Sequence, residues 1–90
     1  MWSRLVEEMP RMVAEVKRKW PGSTLDKVKV SKNRIYLFFR INGVNVKAIL
    51  YPAKGWRVRV YSPLQGVNTA LKRLLERWIE GARKRREKPV

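Results

Sequence analysis

The chain has 90 residues, a formal net charge of +15 and 44% hydrophobic residues. One domain of this size buries only about 60% of the surface that its unfolded chain exposes, so its stability margin is small. The chain contains no cysteine and no histidine, which excludes disulfides, thiol nucleophiles, cysteine-based metal sites and histidine-dependent catalysis. We expect no metal and no cofactor. Because no apolar run is long enough for a membrane span or a signal peptide, we expect a cytoplasmic protein.

The charge is distributed unevenly along the chain. Every charged residue from Lys27 to Leu75 is a Lys or an Arg, and the acids lie towards the two ends, at Glu7, Glu8, Glu15, Asp26, Glu76, Glu80 and Glu87. A central region of one sign predicts a surface that binds a polyanion. The alternative is a surface tuned for solubility, but such surfaces usually mix both signs.

The first predicted element is a helix over residues 2–20, because apolar residues recur there every three or four positions. Pro10 interrupts this pattern. Since proline has no backbone N–H to donate and crowds the preceding turn, we expect a kink or a break near Met9. Pro21-Gly22 ends the helix.

Four strands are predicted next, at Lys27–Ser31, Arg34–Ile41, Val44–Tyr51 and Trp56–Tyr61. Asn42-Gly43 is the strongest hairpin signal, because both residues tolerate a positive φ. A two-residue loop there sets Ile41 opposite Val44 and Phe38 opposite Lys47, so that core positions pair with core positions. The same parity requires an odd number of residues in the last hairpin loop.

The last predicted element is a helix that begins at Ser62, with Pro63 in its first turn and Gln65 completing a capping box. Its apolar residues form two adjacent rows, which is more than contact with one sheet requires. We therefore predict a homo-oligomer, a dimer or a tetramer, formed through Val67, Leu71, Leu74, Leu75, Trp78 and Ile79. The alternative is one broad stripe packed on the sheet.

These elements predict a single α+β domain over residues 1–82, followed by a basic tail over residues 83–90. The tail either adds affinity for phosphate chains or serves only solubility. The order α-β-β-β-β-α predicts a four-stranded antiparallel meander with both helices on one face and the other face open.

The open face is where we expect the function. Strand residues alternate between faces, and the outward positions are cations and rings, with Ile49 among them. The predicted nucleic-acid-binding residues are Lys27, Lys29, Arg34, Tyr36, Phe38, Arg40, Lys47, Tyr51, Arg57, Arg59 and Tyr61. Rings accept unstacked bases and cations follow the phosphates. Alternatively, the rings pair across strands for sheet stability or are buried by a dimer.

A single strand of DNA or RNA is the expected partner, and no membrane is. Stacking needs base faces that a duplex hides, and no helix has a pattern typical of major-groove binding. Recognition should depend little on base sequence, because rings and phosphate contacts carry little base identity.

The element order, the strands from Arg34 to Tyr61 and the row Val67-Leu71-Leu74-Trp78 resemble the ThermoDBP-related single-stranded nucleic-acid-binding proteins of hyperthermophilic archaea. The resemblance implies binding of single-stranded DNA or RNA and oligomers built through helices. The double-stranded-RNA-binding domain is similar in order too. It has three strands, however, and its basic helix-start motif is missing at Gly66-Val67-Asn68.

Two other functions stay open. One is a small endoribonuclease of the histidine-free toxin type, in which Tyr61, Arg57 and Arg59 would supply acid–base chemistry and charge stabilisation. The other is a protein-interaction module with an acidic partner. We favour binding without catalysis, and we assign no catalytic residue.

Overall fold

The computed structural model describes residues 5 and 7–87, with side chains described up to Arg83. Its four strands form one antiparallel sheet in the order β1-β2-β3-β4. Both helices pack on one face of this sheet, so the predicted α+β meander with one open face is confirmed. In chain order the elements are α1 (Met9–Lys19), β1 (Thr24–Val30), β2 (Ile35–Ile41), β3 (Val44–Tyr51), a 3-10 turn (Pro52–Lys54), β4 (Arg57–Tyr61) and α2 (Gln65–Glu87).

Pro10 shapes the start of α1. Leu5 and Glu7 are helical, Glu8 forms a turn, and α1 begins at Met9 with Pro10 in its first turn. A proline fits there because the first N–H groups of a helix have no intrahelical acceptor. The predicted break near Met9 is therefore confirmed. The rest of the predicted helix, residues 2–4 and 6, lies outside the described residues.

The strand register agrees with the parity of the sequence. Ile41 lies opposite Val44, and Phe38 lies opposite Lys47. In the loop between them Asn42 has φ 54° and Gly43 has φ 76°, as a tight type I′ hairpin requires.

The last hairpin also has the predicted parity. Tyr51 pairs with Arg57, which leaves residues 52–56 in the loop, an odd number. Gly55 and Trp56 adopt left-handed backbone angles, with φ of 72° and 60°. Trp56 was predicted to open the fourth strand, but β4 begins one residue later because the loop uses Trp56 to reverse the chain.

The core reaches β1 only at Leu25, which is half-buried, and leaves the rest of that strand exposed. Ile35 and Leu37 on β2 are 2% and 0% exposed, whereas their partners on β1, Val30 and Val28, are 53% and 39% exposed. Because Lys27 and Lys29 point outward, strand alternation predicts that both valines face the core. They lie on the helix side of the sheet, but β1 is an edge strand that the helices cover only in part.

The predicted oligomerisation residues have a different place in the structure. Both apolar rows of α2 belong to the core of the single chain, in which α2 packs against β4 and also contacts α1. This corrects their assignment to a surface between copies: the exposed fractions are 9% for Val67, 0% for Leu71, 5% for Leu74, 0% for Leu75, 4% for Trp78 and 3% for Ile79.

The start and the end of α2 also differ from prediction. The Ser62 hydroxyl accepts the Leu64 N–H at 3.0 Å, and the Asn68 carboxamide donates to the Ser62 carbonyl at 2.9 Å. The side chain that reaches back to Ser62 is therefore that of Asn68, whereas Gln65 was predicted to do so. At the other end α2 continues to Glu87, so residues 83–87 of the predicted tail are helical, and residues 88–90 lie outside the described residues.

The core role of α2 yields a test. We expect Leu71→Ala to lower the free energy of unfolding by about 2–5 kcal/mol, because it removes a fully buried side chain and leaves a cavity. The exposed neighbour Arg73 gives the control: Arg73→Ala should change stability by less than about 0.5 kcal/mol. Denaturant titration at several protein concentrations measures both. A loss for Leu71→Ala that shrinks as protein concentration rises would mean that Leu71 lies at an interface between copies.

Candidate nucleic-acid interface

The sheet surface opposite the helices, which we call the open face, carries all of the predicted site residues. Each lies at an outward position of its strand or, for Arg34, immediately before β2. The cations are exposed, Tyr36, Phe38 and Tyr51 are half-buried, and Tyr61 is 46% exposed. The structure therefore brings the predicted residues together on one surface.

Strand pairing arranges these residues in rows across the sheet. One row runs Lys29, Tyr36, Ile49, Arg59, and the next runs Lys27, Phe38, Lys47, Tyr61. Neighbours within a row are about 4.8 Å apart, and successive rows are about 6.8 Å apart. Cations and rings therefore alternate along the second row, whereas in the first row Tyr36 and Ile49 lie between two cations.

Ile49 forms an apolar floor in the middle of the open face. It is only 6% exposed, although both helices lie on the opposite side of the sheet. Its cross-strand partners Tyr36 and Arg59 flank it, so the long side chains around it exclude water. The sequence showed that Ile49 points outward, but the burial depends on how neighbouring side chains lie.

Tyr36 and Phe38 present a pair of nearly parallel rings. Their centroids are 6.4 Å apart and their planes differ by 15°, which lies within the range for aromatic pairs in contact. Because both side chains are half-buried, the strand and the floor hold the rings in place while part of each ring stays accessible to solvent.

Two cations lie over the other rings. The Arg34 guanidinium carbon is 5.4 Å from the Tyr51 ring centroid, and Lys47 Nζ is 5.6 Å from that of Tyr61. Arg34 also donates a hydrogen bond of 3.3 Å to the Tyr36 hydroxyl. That hydrogen bond raises the pKa of Arg34 above its ordinary value. These contacts orient the cations before any ligand arrives.

One acid reaches the open face, although the sequence predicted none there. The strand register shifts between Leu25 and Lys27, so Asp26 is an extra residue in a bulge. Its carboxylate lies 3.7 Å from Arg40 Nε and accepts a hydrogen bond of 2.6 Å from the Thr24 hydroxyl. Asp26 thus compensates the charge of Arg40 at one corner of the face.

The residues that suggested a ribonuclease are part of the same surface. Arg57, Arg59 and Tyr61 occupy alternate positions of β4. Tyr61 lies under Lys47, and Arg59 lies beside Ile49. They do not form a cluster separate from the open face.

Two negative findings apply to the part of the chain that the structure describes. There, no group of acidic side chains is placed to hold a metal ion, and neither helix has the length and apolar character needed to cross a bilayer.

The open face defines a class of surface, a cationic sheet with accessible rings. No protein-family model, curated protein or solved structure matches this chain. Its resemblance to the ThermoDBP-related proteins stays a prediction, and the functional proposal is supported by the geometry of the open face.

Proposed function

We propose that this protein binds single-stranded DNA or RNA on its open face, with little dependence on base sequence. The observation that carries the proposal is the Tyr36–Phe38 ring pair, half-buried and nearly parallel, among exposed cations. A base that stacks on an aromatic side chain gains about 1–3 kcal/mol. The proposal includes a cytoplasmic location and a role without catalysis.

A single strand fits this surface better than a duplex. Among the described residues no helix lies on the open face, and a four-stranded sheet is wider than the α-helix or two-stranded ribbon that a major groove admits. Its rings are useful only to a ligand whose bases can turn towards them. A single strand can place bases on Tyr36 and Phe38 while its phosphates lie near Lys27, Lys29 and Lys47, the cations of the same rows.

Self-association stays part of the proposal without an assigned surface. The α2 residues that motivated it are buried inside the single chain. A ring-burying dimer would place the open faces of two copies together, and their cations would then repel one another. That repulsion favours a polyanion over a second copy as the partner of this surface.

Replacing both rings tests the site. We expect Tyr36→Ala/Phe38→Ala to weaken binding of a single-stranded oligonucleotide at least tenfold, because stacking is lost. The slope of log affinity against log salt should stay unchanged, since neither ring carries charge. Fluorescence anisotropy over a range of salt concentrations measures both quantities.

The matched control is Tyr36→Leu/Phe38→Leu, which keeps apolar bulk beside Ile49 but removes the flat rings. It should lose affinity as the alanine variant does, while circular dichroism and thermal unfolding show an intact sheet. Unchanged affinity in a folded alanine variant would refute the open face as the binding site.

Replacing Asp26 should strengthen binding, whereas replacing the rings should weaken it. Asp26→Asn frees Arg40 while the side-chain oxygen can still accept the Thr24 hydroxyl. We expect about fivefold tighter binding at 0.1 M salt and a slope steeper by about 0.7, the values for one more phosphate neutralised on a single strand. Glu15→Gln makes the same charge change on α1 and is the control. Equal gains in both variants would show that net charge alone acts, without Arg40 contacting a phosphate.

The two rival functions have their own outcomes. We expect labelled RNA to stay intact when incubated with the protein, with or without ribosomes. Defined cuts that Tyr61→Phe abolishes would establish the ribonuclease instead. A protein partner that is still captured after nuclease treatment, and that Arg57→Gln/Arg59→Gln releases, would establish the interaction module.

A further inference from the structure

A groove of about 760 Å³ runs along the free edge of β4, on the side where α2 packs. The whole of β4 lines one wall, Lys72 and Glu76 of α2 line the other, and Lys54 and Trp56 close one end. None of Lys54, Trp56 and Lys72 was assigned a role from the sequence. The groove therefore adds a cationic surface beyond the open face.

The groove and the open face are continuous. Arg57, Arg59 and Tyr61 belong to the open face through their strand positions, and the same residues line the groove. In addition, among the residues that the structure describes, β4 pairs with β3 alone, so its outer edge presents backbone N–H groups. Backbone N–H groups are regular partners of phosphate oxygens. A polymer that leaves the open face over β4 thus meets further donors and cations.

The opposite edge of the sheet, at β1, also presents backbone N–H groups and the exposed Lys27 and Lys29, but its helix side differs from that of β4. Past β1 the helix side of the sheet shows Val28 and Val30, 39% and 53% exposed. The nearest corner of the open face holds Arg40 paired with Asp26. Exposed valines offer no favourable interaction to a phosphate. The two edges are therefore not equivalent as places where a bound strand would leave the open face.

We propose that a single strand bound on the open face continues over the β4 edge into this groove, with its phosphates against Lys54 and Lys72. This inference rests on the function proposed above and gives the bound strand a direction across the sheet. Trp56 stands at the end of the groove in a left-handed backbone conformation, which for a bulky residue is an outlier that the surrounding structure must hold.

A second copy adding its own strand is the competing occupant of a free sheet edge. Antiparallel pairing of two β4 edges would bring the arginines of two copies side by side, and like charges across strands are unfavourable. The groove lining has Lys54, Arg57, Arg59 and Lys72 against the single acid Glu76. Its charge thus complements a nucleic-acid backbone and opposes a second copy.

The test compares two double variants and two lengths of oligothymidylate. Lys54→Gln/Lys72→Gln removes the groove cations, whereas Lys17→Gln/Arg73→Gln removes two exposed charges from the helices and is the matched control. The oligonucleotides have about four and about twelve nucleotides, within the range of site sizes for single-strand-binding domains. Anisotropy, with direct and competition titrations against salt, gives affinities and slopes.

We expect the groove variant to bind the longer oligonucleotide about 25-fold more weakly at 0.1 M salt, with a slope shallower by about 1.4, as two lost phosphate contacts require. Its affinity for the shorter one should stay within about twofold of wild type, and the control should lose less than about threefold for either length. Equal losses of affinity in the two variants would refute the groove as a binding site. The ring test of the open face would be unaffected.

The remaining outcomes are also decisive. A wild-type protein that binds neither oligonucleotide would overturn both proposals. Sedimentation velocity tests the second copy as occupant. If Lys54→Gln/Lys72→Gln strengthens a dimer, because repulsion between copies is relieved, the groove belongs to a second copy and the proposal that a single strand enters it is overturned.

Discussion

The burial of one side of β2 is the constraint on which the rest of the molecule depends. Ile35, Leu37 and Phe39 are at most 2% exposed beneath the helices, and each such side chain contributes about 1.5–3 kcal/mol by leaving water. A slip of one residue would exchange them for Tyr36 and Phe38 and would drive Arg40 into the core. The same energy that stabilises the sheet therefore keeps the rings on the open face.

The open face also has to be stable before a ligand binds. Cations crowded on one surface repel one another and destabilise the compact state. The structure offsets part of this cost locally, because Arg34 lies over Tyr51, Lys47 lies over Tyr61, and Ile49 is buried among its neighbours. A surface organised in this way pays less ordering entropy on binding than one made of free side chains.

Alternation and turn chemistry were sufficient to predict the strand order and the register of the hairpins, but not the start of β1 at Thr24, its bulge, or what lies against the sheet. Asn42-Gly43 and the parity of the strands determined register, because a period of two leaves only one arrangement with a continuous core. The width of the apolar surface on α2 was a weaker guide to what this helix packs against. A second apolar row fits another helix of the same chain as well as a second copy, and the docking of α1 decides between them.

The features of the site that the sequence did not predict arise where local periodicity breaks or where distant elements meet. Asp26 reaches Arg40 only because a bulge adds a residue to β1, and no turn residue marks that bulge. Lys54 and Lys72 are far apart in the chain and share a groove only after α2 has folded back along β4. Such proximity is a property of tertiary packing.

The kind of side chain on the open face bears on what the protein would distinguish in a ligand. Base identity is read by paired donors and acceptors, such as an Asn carboxamide or an unengaged Arg. In the part of the open face that the structure describes, Asn45 stands opposite Arg40 at one corner. Arg40 already contacts Asp26, and Arg34 contacts Tyr36 and Tyr51, so Arg57 and Arg59 on β4 are the guanidinium groups left to read a base edge. The central rows offer rings, an isoleucine floor and cations. Such a surface would select for bases free to unstack and for a phosphate chain, with little preference among the four bases.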